Sequence, residues 1–335
     1  MTSARSLRRP VALVAVTGLL VIAAALSVAF GARIITVHEL LTAFGDPGSN
    51  GIAEAAVRSR IPRTILAVSV GAALGLSGAV FQAVTRNPLA DPGILGINTG
   101  ASLAVVCGIA FLGITALPQY IWLALGGAAI TAVLVYLIGS AGRGGATPIK
   151  LALAGAAVTA ALSSAISAVL LPRIDVITRF QFWQVGSVAG ADWSGIAVVT
   201  PFLVLGAVLA LLGGRGLNAL ALGDELAAGL GVRIARARIL SAVSGVLLCG
   251  AATAVAGPIA FVGLAVPHIV RLLVGSDQRW VLPFSALGGA MLLTAADVIG
   301  RVIARPGELE AGIVTAVIGA PVMIVIARRQ RIREL

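Results

Sequence analysis

The residues able to do chemistry in this chain are few and unevenly placed. Arg58, Arg60 and Arg63 crowd one stretch, RSRIPR, while Asp297 and Arg301 stand four positions apart near the other end of the 335 residues. A carboxylate and a guanidinium at that spacing lie on one helix face, so the sequence predicts that Asp297 and Arg301 pair and pin a helix end. Asp297 is also the single acid inside an apolar segment that a proton- or sodium-coupled carrier could use, since such carriers keep ionisable groups within their spans.

Other chemistries find no footing. The only lysine, Lys150, lies in TPIKLAL without the glycine-rich approach of a phosphate-binding loop, so the chain is not expected to hydrolyse ATP alone. His38 and His268 are far apart, and no nucleophile elbow, zinc-protease motif or carboxylate pair falls on an apolar segment. Cys107 and Cys249 sit in apolar runs, where a free thiol behaves as a small hydrophobe, and no Cys/His cluster has ligand spacing. The chain is therefore expected to be no enzyme, to hold no metal and to bind no cofactor.

The elements that must carry these residues are membrane helices. The composition is 59% hydrophobic and 11% charged with a mean hydropathy of +1.06, outside the range of soluble domains. A span takes about 20 apolar residues, so the length allows roughly ten with short connectors and no soluble domain. Forty-one glycines against 4% aromatics suit close helix packing in lipid. The expected fold is an all-α integral membrane bundle, a single domain over 1–335.

Breaks at charges, prolines and glycine clusters place apolar segments near 11–30, 62–84, 97–117, 119–140, 151–171, 193–212, 239–256, 257–274, 281–303 and 312–327. Only Gly257-Pro258 divides the seventh from the eighth, where a tight hairpin and a broken helix read alike. Arg5, Arg8 and Arg9 before the first segment resemble a signal peptide, but the run is long enough to span and is expected to be a retained helix. The net charge of +11 fits basic loops beside spans rather than nucleic acid.

With the N-terminus inside, inner segments hold 16 and outer ones 8 of the 24 Lys+Arg residues, which predicts cytoplasmic termini and an inner basic tail of Arg328, Arg329, Arg331 and Arg333. The outer arginines cluster at Arg58, Arg60 and Arg63 and at Arg301 and Arg305. Two readings of this rim stand: snorkelling to lipid phosphates, or docking an acidic surface of an external partner. The outer segment 172–192, with the stretch DVITRFQFWQVGSVAGADW from Asp175 to Trp193, reads as an interfacial helix over a pore mouth or as an aromatic belt. The inner connector 213–238, GGRGLNALALGDELAAGLGVRIARAR, is too charged to span. It suits one or two short surface helices broken at Gly223, Gly229 and Gly231, and is expected to dock a cytoplasmic partner. The connector RNPLADPGILG reads as a rigid inner turn, with Asn87 and Asp91 capping locally and the prolines fixing the backbone.

Four blocks together resemble the FecCD-type permease subunits of ABC importers for ferric siderophores, haem and cobalamin. They are RSRIPRTILAVSVGAALGLSGAVFQAVTRNPLADPGILGINTGAS, LNALALGDELAAGLGV, AGPIAFVGLAVPHIVRLLVGSDQRWVLP, and ADVIGR followed by PGELEAGIVTAVIGAP. They cover more than a third of the chain in the family's order and spacing. The resemblance implies the ten-helix type II importer fold and a pair of permeases, identical or sister chains. It further implies two cytoplasmic ATPases that use ATP and Mg, an external substrate-binding lipoprotein, and the inner membrane of a bacterium. It marks Arg60, Arg63 and Arg301 as docking positions for that lipoprotein. Leu217, Leu222, Gly223, Asp224, Glu225, Ala228, Leu230 and Gly231 become the ATPase-coupling segment, and Ser163, Ser164 and Ser167 the translocation path. Ferric siderophore is the expected cargo, with haem or cobalamin the alternative. An ion-coupled secondary carrier and a stand-alone channel are the readings from other classes. The chain departs from the family at Glu308-Leu309-Glu310-Ala311-Gly312, where a proline is usual in place of Glu310, and at Pro321-Val322-Met323, which lacks the usual aromatic.

Overall fold

The structure of the chain is a computed structural model that describes residues 3–31, 38–39, 42, 51–88, 90–114, 117–142 and 147–331; Leu89 of the RNPLADPGILG turn and Arg333 of the basic tail lie outside the described residues. Twelve α-helices are delimited among them, with one 3-10 turn at Pro92–Leu95. They are α1 Ser3–Ala29, α2 Ile52–Thr85, α3 Ile97–Leu112, α4 Leu117–Ser140, α5 Pro148–Leu170 and α6 Ile174–Gln184. The second half holds α7 Trp193–Ala221, α8 Asp224–Gly229, α9 Ile234–Ala256, α10 Val262–Val274, α11 Gln278–Ile303 and α12 Ala311–Arg331.

Each of the ten apolar segments forms a helix. Seven are long and apolar enough to cross a membrane, and Ile97–Leu112, Val262–Val274 and Ala311–Val325 are shorter. At 1.5 Å per residue α10 reaches only about 20 Å, against roughly 30 Å of hydrocarbon, so the bundle mixes full and partial spans. Several helix starts follow from local capping. The Thr147 hydroxyl accepts the Lys150 N–H with Pro148 in the first turn, Asp192 accepts from Gly195 N and Asp277 from Arg279 N.

α2 runs through the middle of the bundle, with 78% of its most apolar window buried. Its small residues make this possible. A Cβ on Gly75 would stand 2.1 Å from Ser285 O of α11, and one on Gly78 1.9 Å from Gly263 O of α10. Backbones in direct contact maximise dispersion contacts where lipid supplies no hydrophobic drive.

The structure redraws two boundaries. α7 passes the Gly213-Gly214-Arg215-Gly216 cluster and ends at Ala221, because its last turns bury Leu217 and Leu220 in the core, and such packing outweighs about 1 kcal/mol of helix propensity per glycine. The first residues of the connector 213–238 are therefore helix inside the bundle. Between α9 and α10 the chain leaves helical conformation over 257–261, with Gly257 and Phe261 at positive φ, so the break separates two distinct helices joined by a short non-helical link. In the segment 172–192, α6 turns Val176 and Phe180 into the core and stacks Phe180 on Trp183 at 6.0 Å. These two aromatics pack inward instead of forming a belt against lipid.

Candidate functional site: two charged ends of the bundle

At one end, α1 finishes, α2 begins and α11 finishes. Asp297, 1% exposed, is the hub there: it accepts Arg63 Nε at 3.0 Å and Nη2 at 2.7 Å, and pairs with Arg301 Nη2 at 2.8 Å. The i,i+4 pair expected from the sequence is present, but the same carboxylate also holds a guanidinium from α2. Arg63 Nη1 then reaches outward to Glu308 Oε2 at 2.7 Å, in the link between α11 and α12.

The remaining donors close the end of α1. Arg60 donates to Val28 O and Ala29 O, Arg301 to Ser27 O, Phe30 O and Ser27 Oγ, and Arg305 to Gly31 O. The last carbonyls of a helix have no partners within it and carry the negative pole of its dipole, which explains why three cations gather there. Ser27 Oγ also meets Thr64 Oγ1 at 2.8 Å, tying α1 to α2.

Arg60, Arg63 and Arg301 are thus brought together, yet they are only 6, 8 and 1% exposed. The free basic rim read from the charge count is corrected at these positions: the guanidiniums point into the chain and are engaged by its own oxygens. Counting cations by segment could not anticipate this, because the oxygens belong to α1 and α11.

The opposite end carries the RNPLADPGILG turn and α8. Arg86 closes α2 in the left-handed conformation (φ 51°) and forms an ion pair with Asp224, the first residue of α8. Arg238 of α9 donates to both oxygens of that carboxylate, at 3.0 and 2.9 Å. Two guanidiniums therefore tether α8 to the bundle. Positive φ at Gly223 and Gly231 allows the chain to enter and leave this short helix, and a Cβ at either would meet nothing.

On α8 and its flanks, Leu222, Leu226 and Leu230 are 58, 61 and 66% exposed, while Ala227 is fully buried. Glu225 and Ala228 are also exposed, and Gly223 is half-buried. Leu217 lies in the core, 1% exposed, which separates it from the other residues of the expected coupling set. Close by, Asn218 donates to Asp277 Oδ1 at 2.7 Å and accepts from Gln278 N at 2.8 Å, joining α7 to α11. Burial disfavours the Asp277 carboxylate, but the Asn218 amide, the Arg279 N–H and the Arg279 and Arg9 guanidiniums together hold it below the usual carboxylate range. In the RNPLADPGILG turn Asp91 caps the 3-10 segment by accepting from Gly93 N at 2.8 Å, and Asn87 accepts from Ala90 N through its backbone.

The serines of α5 form a third set. Ser163, Ser164 and Ser167 are exposed on one face with Ala156, Ala157 and Ala160. Ser164 and Ser167 donate to Ala160 O and Ser163 O, so these hydroxyls are satisfied within their own helix. Sequence reasoning did not single out Arg86 or Arg238 for Asp224, nor Glu308 for Arg63. The available signal was the placement of unlike charges at the ends of different helices.

Comparison with known proteins agrees with this architecture. Residues 19–329 match the FecCD transport family. The chain is 43% identical over 331 residues to the ferric enterobactin transport system permease protein FepD of Escherichia coli (strain K12), covering 98% of each chain. It is 46% identical over 275 residues to the Fe(3+)-citrate import system permease protein YfmD of Bacillus subtilis (strain 168), covering 81% of this chain and 80% of that one. Among solved structures, a metal-chelate type ABC transporter in an inward-facing conformation superposes with a TM-score of 0.83 at 29% identity, over 96% of this chain and 99% of the other. A buried ion-pair hub, a tethered surface helix and a glycine-packed bundle thus occur in a multi-pass membrane protein that belongs to the FecCD transport family.

Proposed function

We propose that the chain is the permease subunit of an ATP-driven importer that carries a ferric siderophore across the bacterial inner membrane by alternating access. The observation that carries this reading is the match over nearly the full length of both chains to a relative named for ferric enterobactin transport. Two copies, or this chain and a sister permease, form the path, with α5 and its exposed Ser163, Ser164 and Ser167 lining it. Small side chains and internally satisfied hydroxyls would hold a bulky solute weakly enough to release it.

Two cytoplasmic ATPases bind ATP and Mg and drive the cycle, while this chain performs no covalent chemistry. Leu222, Gly223, Asp224, Glu225, Ala228, Leu230 and Gly231 form the contact with the ATPase, and Leu217 supports them from the core. The exposed leucines of this segment support that role, as does the Arg86–Asp224–Arg238 tether, which would pass a push on α8 into α2 and α9. A partner shifts a two-state balance only by contacting the two states differently, and α8 is a surface on which it could do so.

At the other end an external substrate-binding lipoprotein engages Arg60, Arg63 and Arg301. Because these are buried, docking requires the Arg63–Glu308 contact to open, Glu308 being the more exposed partner of that pair. Ion coupling through Asp297 is disfavoured, since its carboxylate is held by two guanidiniums. The deciding experiment is uptake of iron-loaded siderophore into vesicles holding the permease, the ATPase and the binding protein. ATP-dependent uptake that survives collapse of ion gradients supports the importer. Uptake that follows the gradient and ignores ATP overturns it in favour of a secondary carrier, and haem uptake in place of siderophore would reassign the cargo.

A further inference from the structure

Two apolar grooves score the flanks of the bundle, and they differ at their mouths. One, about 510 Å³, lies between α1, α2, α7 and α11, and no charged residue lines it. The other, about 740 Å³, lies between α4 and α9 near the Asp224 end, with Ala129, Val133, Ala242, Val246 and Leu247 along its length. Its polar residues sit together where α2 and α4 finish and α9 begins: Thr85, Tyr136 and Arg238.

Dimensions and charge both bear on what fills it. From Arg238 to Leu247 α9 rises about 14 Å, close to the depth of one hydrocarbon leaflet, roughly half of 30 Å. Tyr136 is 47% exposed at the mouth, and an aromatic with a polar tip prefers the headgroup level. Arg238 shares the single carboxylate of Asp224 with Arg86, so two guanidiniums face one acid there. Arg233 and Arg236, in the same opening turns of α9, are exposed. A groove one leaflet deep, apolar along its length and cationic at its mouth, is complementary to a molecule with an acyl chain and an anionic head.

We propose that the α4–α9 groove is a binding site for an anionic phospholipid, with one acyl chain lying along Ala242, Val246 and Ala129 and the phosphate against Arg238. The uncharged groove on the other flank takes acyl chains without regard to headgroup. This assignment needs only that the chain spans a membrane and is independent of its cargo and partners.

The test uses the full chain purified in neutral detergent, with palmitoyl-oleoyl phosphatidylglycerol and phosphatidylcholine as competing probes and bound lipid counted by native mass spectrometry. One productive guanidinium should favour phosphatidylglycerol by about fivefold at low salt. Arg238→Gln should remove the preference, and Ala242→Trp, which fills the groove, should remove the selectively bound lipid. Leu13→Trp in the other groove should leave the preference intact. Should a variant fail to fold, Tyr136→Trp reports directly, because chain-brominated phosphatidylglycerol should quench the added fluorescence more than brominated phosphatidylcholine. Equal binding or equal quenching by the two lipids overturns the proposal, as does a preference that survives Ala242→Trp. Efficient disulfide cross-linking of two copies through Val133→Cys or Val243→Cys in the membrane would also overturn it, by showing that a second copy covers the groove.

Discussion

Replacing Asp297 by alanine tests the central claim about the charged end, that the carboxylate holds three helices and a link together. The side chain is 1% exposed and is contacted by Arg63 through Nε and Nη2 and by Arg301 through Nη2. Removing it leaves two buried guanidiniums facing each other, Arg301 without a carboxylate and Arg63 with Glu308 alone. Breaking a buried pair from one side costs about 3–5 kcal/mol, most of it the desolvation of the orphaned partner. The loss here should fall in that range, because Arg63 keeps Glu308 and Arg301 keeps the oxygens of Ser27 and Phe30. Unfolding can be followed with the protein's own thiols: Cys249 is 1% exposed, and a thiol-reactive dye in detergent reports its release. Asp297→Ala should lower the unfolding free energy by about 3–5 kcal/mol, and the Arg63→Met/Asp297→Ala pair should recover part of it, because Arg301 then no longer faces a second buried cation. A single-variant loss below about 1 kcal/mol, or strict additivity in the double variant, would refute the reasoning.

Further outcomes follow from the same geometry. Arg60→Ala should cost about 1–2 kcal/mol through the lost bonds to Val28 O and Ala29 O, and hydrogen exchange should quicken in the last turn of α1 while α9 stays protected. Gly78→Ala should destabilise by about 3 kcal/mol or more, since its Cβ would lie 1.9 Å from backbone oxygen, whereas Gly126→Ala meets nothing within 4 Å and should be neutral or gain up to ~1 kcal/mol in thermal denaturation. Asp277 has a depressed pKa in the folded chain, so its contribution is present above the ordinary carboxylate pKa and is lost as pH falls through the folded value. Asp277→Asn should accordingly flatten the acid limb of a stability–pH curve and leave neutral stability less dependent on pH.

What the sequence determined by itself was everything local. Hydropathy over windows of a span's length located all ten apolar helices, since burying backbone polar groups in lipid leaves few alternatives to a helix. The helix starts at Thr147, Asp192 and Asp277 are local in the same sense, each side chain accepting from an N–H within three residues. The Asp297–Arg301 pair was legible for the same reason, its spacing being one helical turn.

Tertiary structure decided what each charge does. Arg63 meets Asp297 across 234 positions and Arg86 meets Asp224 across 138, distances over which no pattern of spacing names a partner. Loop by loop, Arg60, Arg63 and Arg301 count as rim cations, but folding places the open carbonyls of α1 and the carboxylate of Asp297 beside them. A buried guanidinium takes whatever acceptors the fold presents, because an unsatisfied one costs more than any surface role returns. The glycines of 213–216 look like a break in sequence and are helix in the fold, since the packing of Leu217 and Leu220 outweighs a weak local preference. Composition thus fixed that the chain spans a membrane and roughly where, while the contacts between distant helices fixed which charges anchor the bundle and which surfaces remain free to meet a partner.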